Sequence, residues 1–197
     1  MPDRPDPAIV ILAAGRSSRM RGADKLLEDV GGTPLILRAV RAACAAVAEV
    51  IVVLPATDRT RRSWLTDTPA RIVDVADGGM SASIAAGIAA CRGEAAMLHL
   101  ADMPEIDATA LGLVAAAWRT GDGPVLRAAT SDGRPGHPVV FDRSLFPDLS
   151  ALAGDGGARA VVARHGGAIV RLPGTAALVD LDTPEDWAAW RRTFSIS

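Results

Sequence analysis

Tyrosine is absent from the 197 residues, aromatic residues make up only 4% of them, and there are two cysteines, Cys44 and Cys91. Two cysteines cannot form a disulfide framework. Both lie in alanine-rich stretches and read as small buried thiols. No apolar run is long enough to span a bilayer, and the opening MPDRPDP has no apolar signal core. The expectation is a soluble, cytoplasmic protein whose residues 1–7 form a flexible tail. An excess of charge of one sign is also lacking, since 21 basic and 23 acidic residues leave a formal charge of −2. That argues against nucleic acid or a membrane as partner, and any local cluster of cations then needs a local purpose. Gly-x-Gly-x-x-Gly and Gly-Lys-Ser/Thr are both missing, which removes the dinucleotide fingerprint and the Walker loop. Zinc, haem and Ser-His-Asp spacings are missing too.

Hydrophobic residues make up 49% of the chain, ample for the core of one domain spanning residues 1–197. The reading centres on residues 8–25, AIVILAAGRSSRMRGADK. A short apolar run, Ile9 to Leu12, leads into Ala13, Ala14 and Gly15, then into a loop carrying Arg16, Arg19, Arg21 and Lys25. Residues without bulky side chains let backbone N–H groups approach an anion closely. Four cations in ten residues add the charge that a polyphosphate needs. A strand, a glycine turn and surface arginines also occur in α/β domains that bind no phosphate, so the pattern alone leaves both readings open.

Strands and helices alternate along the rest. A helix is expected over 34–47 behind Thr33 as N-cap, a buried strand over Val50–Leu54, a short helix over Arg59–Leu65 and a strand over Arg71–Val75. Asp77-Gly78-Gly79 breaks the chain before a helix over Met80–Cys91, followed by a strand over Ala95–Leu100 and a helix over Asp107–Trp118. Strands over Val125–Ala128 and Pro138–Phe141 flank a hairpin-like segment, 131–136. Helices over Arg143–Leu152 and Gly157–His165 come next, separated by Gly154-Asp155-Gly156-Gly157. Strands over Ala168–Leu172 and Ala177–Leu181 precede a helix opened by Thr183-Pro184-Glu185-Asp186, with Trp187, Trp190 and Phe194 as its apolar stripe. The alternation predicts a three-layer α/β fold, and the late hairpin makes the sheet mixed rather than all parallel.

Ligands of such sheets collect outside the carboxyl ends of the strands, where Gly15 and Asp102 would meet. Asp102 could be a Mg²⁺ ligand or the start of a turn before Pro104. Asp180 and Asp182 frame Leu181, and either could complete a metal site if the strand period persists. Ser81 reads as a helix cap or a ligand contact, and a lone His137 is more often structural than catalytic.

The stretch L-A-A-G-R-S-S-R-M…K resembles the signature of the MobA-like nucleotidyltransferases, most closely the branch that attaches CMP to molybdopterin. Arg21 stands where that family commonly has Gly. L-A-D-M-P (100–104), G-M-S-A-S (79–83), G-H-P (136–138) and Asp180-Leu181-Asp182 continue the similarity over nearly the whole chain. The resemblance implies a Rossmann-like, mainly parallel sheet of the nucleotide-diphospho-sugar transferase type. It also implies CTP and molybdopterin as substrates, Mg²⁺ as cofactor and a molybdenum hydroxylase or its chaperone as recipient. It assigns Leu12, Ala13, Ala14, Gly15, Arg19, Lys25, Asp74, Gly79, Ser81 and Asp102 to the nucleotide, with Arg19, Lys25 and Asp102 at the chemistry. Asp102, Asp180 and Asp182 fall to the metal, and His137, Arg134 and Arg159 to the acceptor.

Overall fold

The computed structural model describes residues 3–76, 79–154 and 156–194, the side chain of Phe194 excepted. The Asp77-Gly78 part of the expected break, Asp155 of the later glycine-rich turn, and the contribution of Phe194 to the last helix's stripe lie outside the described residues. Seven strands form one sheet: β1 (Ala8–Leu12), β2 (Val50–Pro55), β3 (Arg71–Val75), β4 (Ala95–Leu100), β5 (Val125–Ala129), β6 (Pro135–Asp142) and β7 (Ala168–Arg171). Their order is β3-β2-β1-β4-β6-β5-β7, and β6 is antiparallel to both of its neighbours. The other pairings are parallel, so the sheet is mixed and mainly parallel as expected. The helices are α1 (Leu35–Ala46), α2 (Arg59–Ser63), α3 (Gly79–Ala90), α4 (Ala108–Thr120), α5 (Phe146–Ser150), α6 (Arg159–His165) and α7 (Pro184–Phe194).

Strand periodicity sorts the core into two layers. Ile9 and Ile11 face the side of the sheet that holds α1, α4 and the α7 tryptophans, while Val10, one residue out of phase, faces α3. Ile9, Val10 and Ile11 are fully buried, which is worth about 1.5–3 kcal/mol for each side chain. Gly87 sets how closely α3 lies on the sheet, because a Cβ there would stand 2.3 Å from Val10 Cγ1. The strand order turns back between β1 and β4, so their carboxyl ends open a crevice at the switch point.

Several elements differ from their sequence expectation. Ala177–Leu181 is an irregular segment and not a strand. Among the described residues it forms no strand ladder and is tied by single bonds: Ala177 O accepts from His137 N of β6 at 2.8 Å, and Leu181 N donates to Asp102 O at 3.1 Å. The helix expected over 143–152 is a 3-10 turn, Arg143–Leu145, running into the short α5, and its first turn is capped by Asp142. Thr33 does not cap α1, because Pro34 takes the cap position with no side-chain bond. β6 begins at Pro135, so Gly136 and His137 belong to a strand and the hairpin is tighter. Thr183 and Asp186 do form the expected reciprocal cap, the Asp186 amide donating to Thr183 Oγ1 at 3.1 Å and the Thr183 amide to Asp186 Oδ2 at 2.9 Å. Cys91 is buried and Cys44 only half-buried, both as free thiols. Within the segment expected as a tail, Arg4 lies 4.5 Å over the Trp118 ring and donates to the Gly123 carbonyl at 2.9 Å. Among the described residues no helix is long and apolar enough to cross a membrane.

Candidate active-site crevice

The crevice has a volume of about 830 Å³, and the loop after β1 forms one wall of it. Arg61 of α2, 4% exposed, holds that loop from behind. It donates to the Ala13 carbonyl at 2.6 Å, the Gly15 carbonyl at 2.9 Å and both Asp24 oxygens at 2.7 and 2.8 Å. Asp24 also accepts from Ser17 Oγ and from the Leu26 amide. Burial raises the Asp24 pKa, but Arg61 outweighs it and holds the carboxyl below its ordinary value. Ser17 and Arg21 sit in the left-handed region at φ 51° and 53°. Arg21, where the resembled family has Gly, thus adopts a conformation that Gly reaches without strain. Its exposed guanidinium pairs with Glu185 at 2.5 Å.

The end of β4 delivers Asp102 beside Asp180 and Asp182, with one ligand oxygen from each within 4.8 Å of the others. Lys25 Nζ pairs with Asp102 and, at 2.5 Å, with Asp182; Arg19 also pairs with Asp182. Lys25 is the chain's only lysine among 21 basic residues. Burial would lower its pKa, but Asp102 and Asp182 together hold it above the ordinary value. Burial, then the charges of Asp102 and Asp182, raise the Asp180 carboxyl. Asp102 Oδ1 is buried and has no hydrogen-bond partner, so the cluster keeps an unused acceptor. Three carboxylates are a hard, all-oxygen donor set that suits Mg²⁺ or Mn²⁺.

Farther along, the crevice passes between the face of β4, β6 and β5 and helix α6, past His137, Arg127 and Arg159. Burial, then the Arg127 charge, lower the His137 pKa despite the opposing Asp102 charge, which leaves the imidazole neutral at pH 7. His99 lies wholly buried near it, and burial, with His137 adding, brings its pKa down to about 3.

Of the residues singled out from sequence, Leu12, Ala14, Gly15, Arg19, Lys25, Gly79, Asp102, His137, Arg159, Asp180 and Asp182 all line this crevice. Four others do not. Ala13 is buried behind the loop. Asp74 points to solvent from the edge strand β3 and pairs with Arg62. Ser81 is buried, its hydroxyl on the Gly154 carbonyl, while Ser83 lines the wall two residues later. Arg134 is exposed at the hairpin and pairs with Asp132. Sequence reasoning missed Arg61 and Arg127. Arg61 left no local signal, since R-T-R-R reads as the exposed start of a short helix. For Arg127, its place between Leu126 and Ala128 in a strand was a usable one.

The pattern described as the MobA-like NTP transferase domain matches residues 9–169. A Burkholderia ambifaria protein named molybdenum cofactor guanylyltransferase is 34% identical over 175 residues, covering 82% of this chain and 84% of that protein. The Bacillus subtilis purine catabolism protein PucB is 26% identical, covering 94% and 96%. Among solved structures, Rv0371c of Mycobacterium tuberculosis superposes with a TM-score of 0.84 at 26% identity, covering 95% of this chain and 99% of that one. The same protein has also been solved as a complex with manganese, with a TM-score of 0.79 at 25% identity, covering 94% and 97%.

Proposed function

The chain belongs to the MobA-like NTP transferase family and has the nucleotide-diphospho-sugar transferase fold, and from that premise we propose that it transfers CMP from CTP to the phosphate of molybdopterin, releasing pyrophosphate. The observation that carries this reading is the meeting of the Gly15 loop, Lys25 and the three carboxylates in one crevice. A phosphate monoester is already largely dianionic near pH 7, its second pKa being about 6, so the acceptor needs no general base. Its oxygen bonds to the α-phosphorus as the bond from that phosphorus to the departing pyrophosphate oxygen breaks. We assign the triphosphate to the backbone N–H groups around Ala14 and Gly15, and the charge growing on pyrophosphate to Arg19 and Lys25. Asp102, with Asp180 and Asp182, would hold Mg²⁺. The unpartnered Asp102 Oδ1 and the manganese complex of the mycobacterial relative support a divalent ion here. Such an ion, when bound, neutralises phosphate charge and orients the reacting groups.

The base pocket falls to the wall near Leu12, Ala14, Gly79 and Ser83, at the start of α3. Ala14 and the G-M-S-A-S segment support CTP; the printed name of the Burkholderia relative favours GTP, which is the second reading. The product would pass to a molybdenum hydroxylase or its chaperone. Pyrophosphate release measured with each NTP, with and without molybdopterin, tests all of this together. Release is expected with CTP plus molybdopterin and Mg²⁺. Release with GTP at equal efficiency moves the assignment to a guanylyltransferase, and release with no nucleotide overturns it.

A further inference from the structure

Beyond the carboxylates, the crevice contains two buried polar atoms with nothing to bond to: Arg127 Nε and His137 Nδ1. Leu98, Val139 and Val162 share the lining with them. Arg127 stands opposite Val139 in the β5–β6 register, out of phase with Leu126 and Ala128, which face the other core layer. Strand alternation therefore turns it toward α6 and the crevice. Arg61, Arg71 and Arg191, also buried or half-buried, each close on a carboxylate. Among the described residues no carboxylate pairs with Arg127. A buried guanidinium N–H without an acceptor is costly, and such a cost is retained where a ligand supplies the missing partner.

We propose that Arg127, with Arg159 at the mouth, forms an oxyanion subsite for the phosphate of the acceptor, separate from the place of the nucleotide triphosphate. The proposal deepens the transferase reading and rests on it. Asp102, His137 and Arg127 line one crevice, so the subsite adjoins the carboxylate end. A phosphate gripped there by a planar guanidinium would be aligned for attack without any proton leaving it. Arg127 is on this account a positioning residue. It takes the interior place that Arg134, exposed at the hairpin, does not reach.

The test fills the nucleotide end with Mg²⁺ and a CTP analogue whose α–β bridge cannot be cleaved, then titrates inorganic phosphate by calorimetry. Wild type should bind phosphate, Arg127→Met should bind it at least tenfold more weakly, and Arg127→Lys should fall between. In turnover, Arg127→Met should raise the KM for the acceptor and leave that for CTP unchanged. The ligand-free Arg127→Met protein should melt at or above the wild-type temperature, because a buried N–H without an acceptor has gone; a merely structural arginine would lower it. Should Arg127→Met not fold, the proposal fails, unless Arg127→Gln folds and loses phosphate alone. Equal phosphate binding by wild type and a folded variant overturns the subsite. If no nucleotide analogue binds wild type, the transferase reading fails separately. The phosphate titration without nucleotide then still decides, a tenfold loss in Arg127→Met supporting the subsite and no loss ending it.

Discussion

Around Gly15 the charged side chains are tied to one another before any substrate arrives: Arg61 to Asp24 and two loop carbonyls, Lys25 to Asp102 and Asp182, Arg19 to Asp182. Across the same crevice Arg127 Nε and His137 Nδ1 have no partner. The difference teaches how the protein divides its work. A triphosphate needs several cations already in place, and their mutual repulsion is offset by Asp24, Asp102 and Asp182. The far end keeps its polar atoms open and receives its last hydrogen bonds from the ligand. One end is therefore held by the fold, and the other becomes complete on binding.

The comparison breaks most severely at Lys25. Lys25→Ala should cost about 2–4 kcal/mol of transition-state stabilisation, read as kcat/KM, by analogy with loss of a preorganised donor. It should also lower the melting temperature in metal-free buffer, because Asp102 and Asp182 lose their shared cation, and Mg²⁺ should restore more of it than in wild type. Normal turnover would remove the loop from the chemistry. Arg61→Met should lower unfolding free energy by about 3 kcal/mol, since it strands Asp24 and two carbonyls. An unchanged urea midpoint would mean that the loop keeps its shape without that clasp.

Acid should act through the sheet beneath the crevice, at His99 of β4. His99 is neutral in the folded protein, with a pKa of about 3, while the unfolded chain takes up a proton near 6.5. Its stabilising contribution is full above pH 6.5 and is lost as pH falls toward 3, at about 1.4 kcal/mol per pH unit. His99→Leu should flatten the acid limb of a stability profile; an identical slope would show that another group carries it. The smallest effect is expected at Arg21→Gly. Relief of a left-handed backbone offsets loss of an exposed ion pair, so stability should move by less than about 1 kcal/mol. A larger loss would show that the Glu185 pair does more for the loop than its exposure suggests.

The same division explains what could be read from sequence. Runs such as Ile9–Leu12 and Val50–Leu54 are buried on both faces of the sheet and announce themselves, as do the small residues before Arg16. Asp102 was legible because ligand sites gather at strand ends by the switch point, whereas Asp180 and Asp182 reach it on an irregular segment tied to β4 through the Leu181 amide and the Asp102 carbonyl. Ala177–Leu181 looked like a strand because it alternates, yet periodicity says nothing about whether an unpaired neighbouring strand exists. That Ser83 and not Ser81 lines the crevice is not legible in sequence, because a helix turns by 100° per residue and its phase is set by packing. Arg61 could not be found at all: its bonds reach back 46 and 48 residues, to Gly15 and Ala13.

The account turns on whether nucleotidyl transfer depends on the carboxylate cluster, and one assay addresses that most directly. Pyrophosphate release from CTP and molybdopterin is measured for wild type and Asp102→Asn across a range of Mg²⁺ concentrations. The substitution keeps size and hydrogen-bonding capacity and removes one negative charge. Wild type should release pyrophosphate only with both substrates and the metal present, and Asp102→Asn should be at least about a hundredfold slower, roughly 2.7 kcal/mol, with an unchanged melting curve. Equal rates for the two proteins at every Mg²⁺ concentration would contradict it.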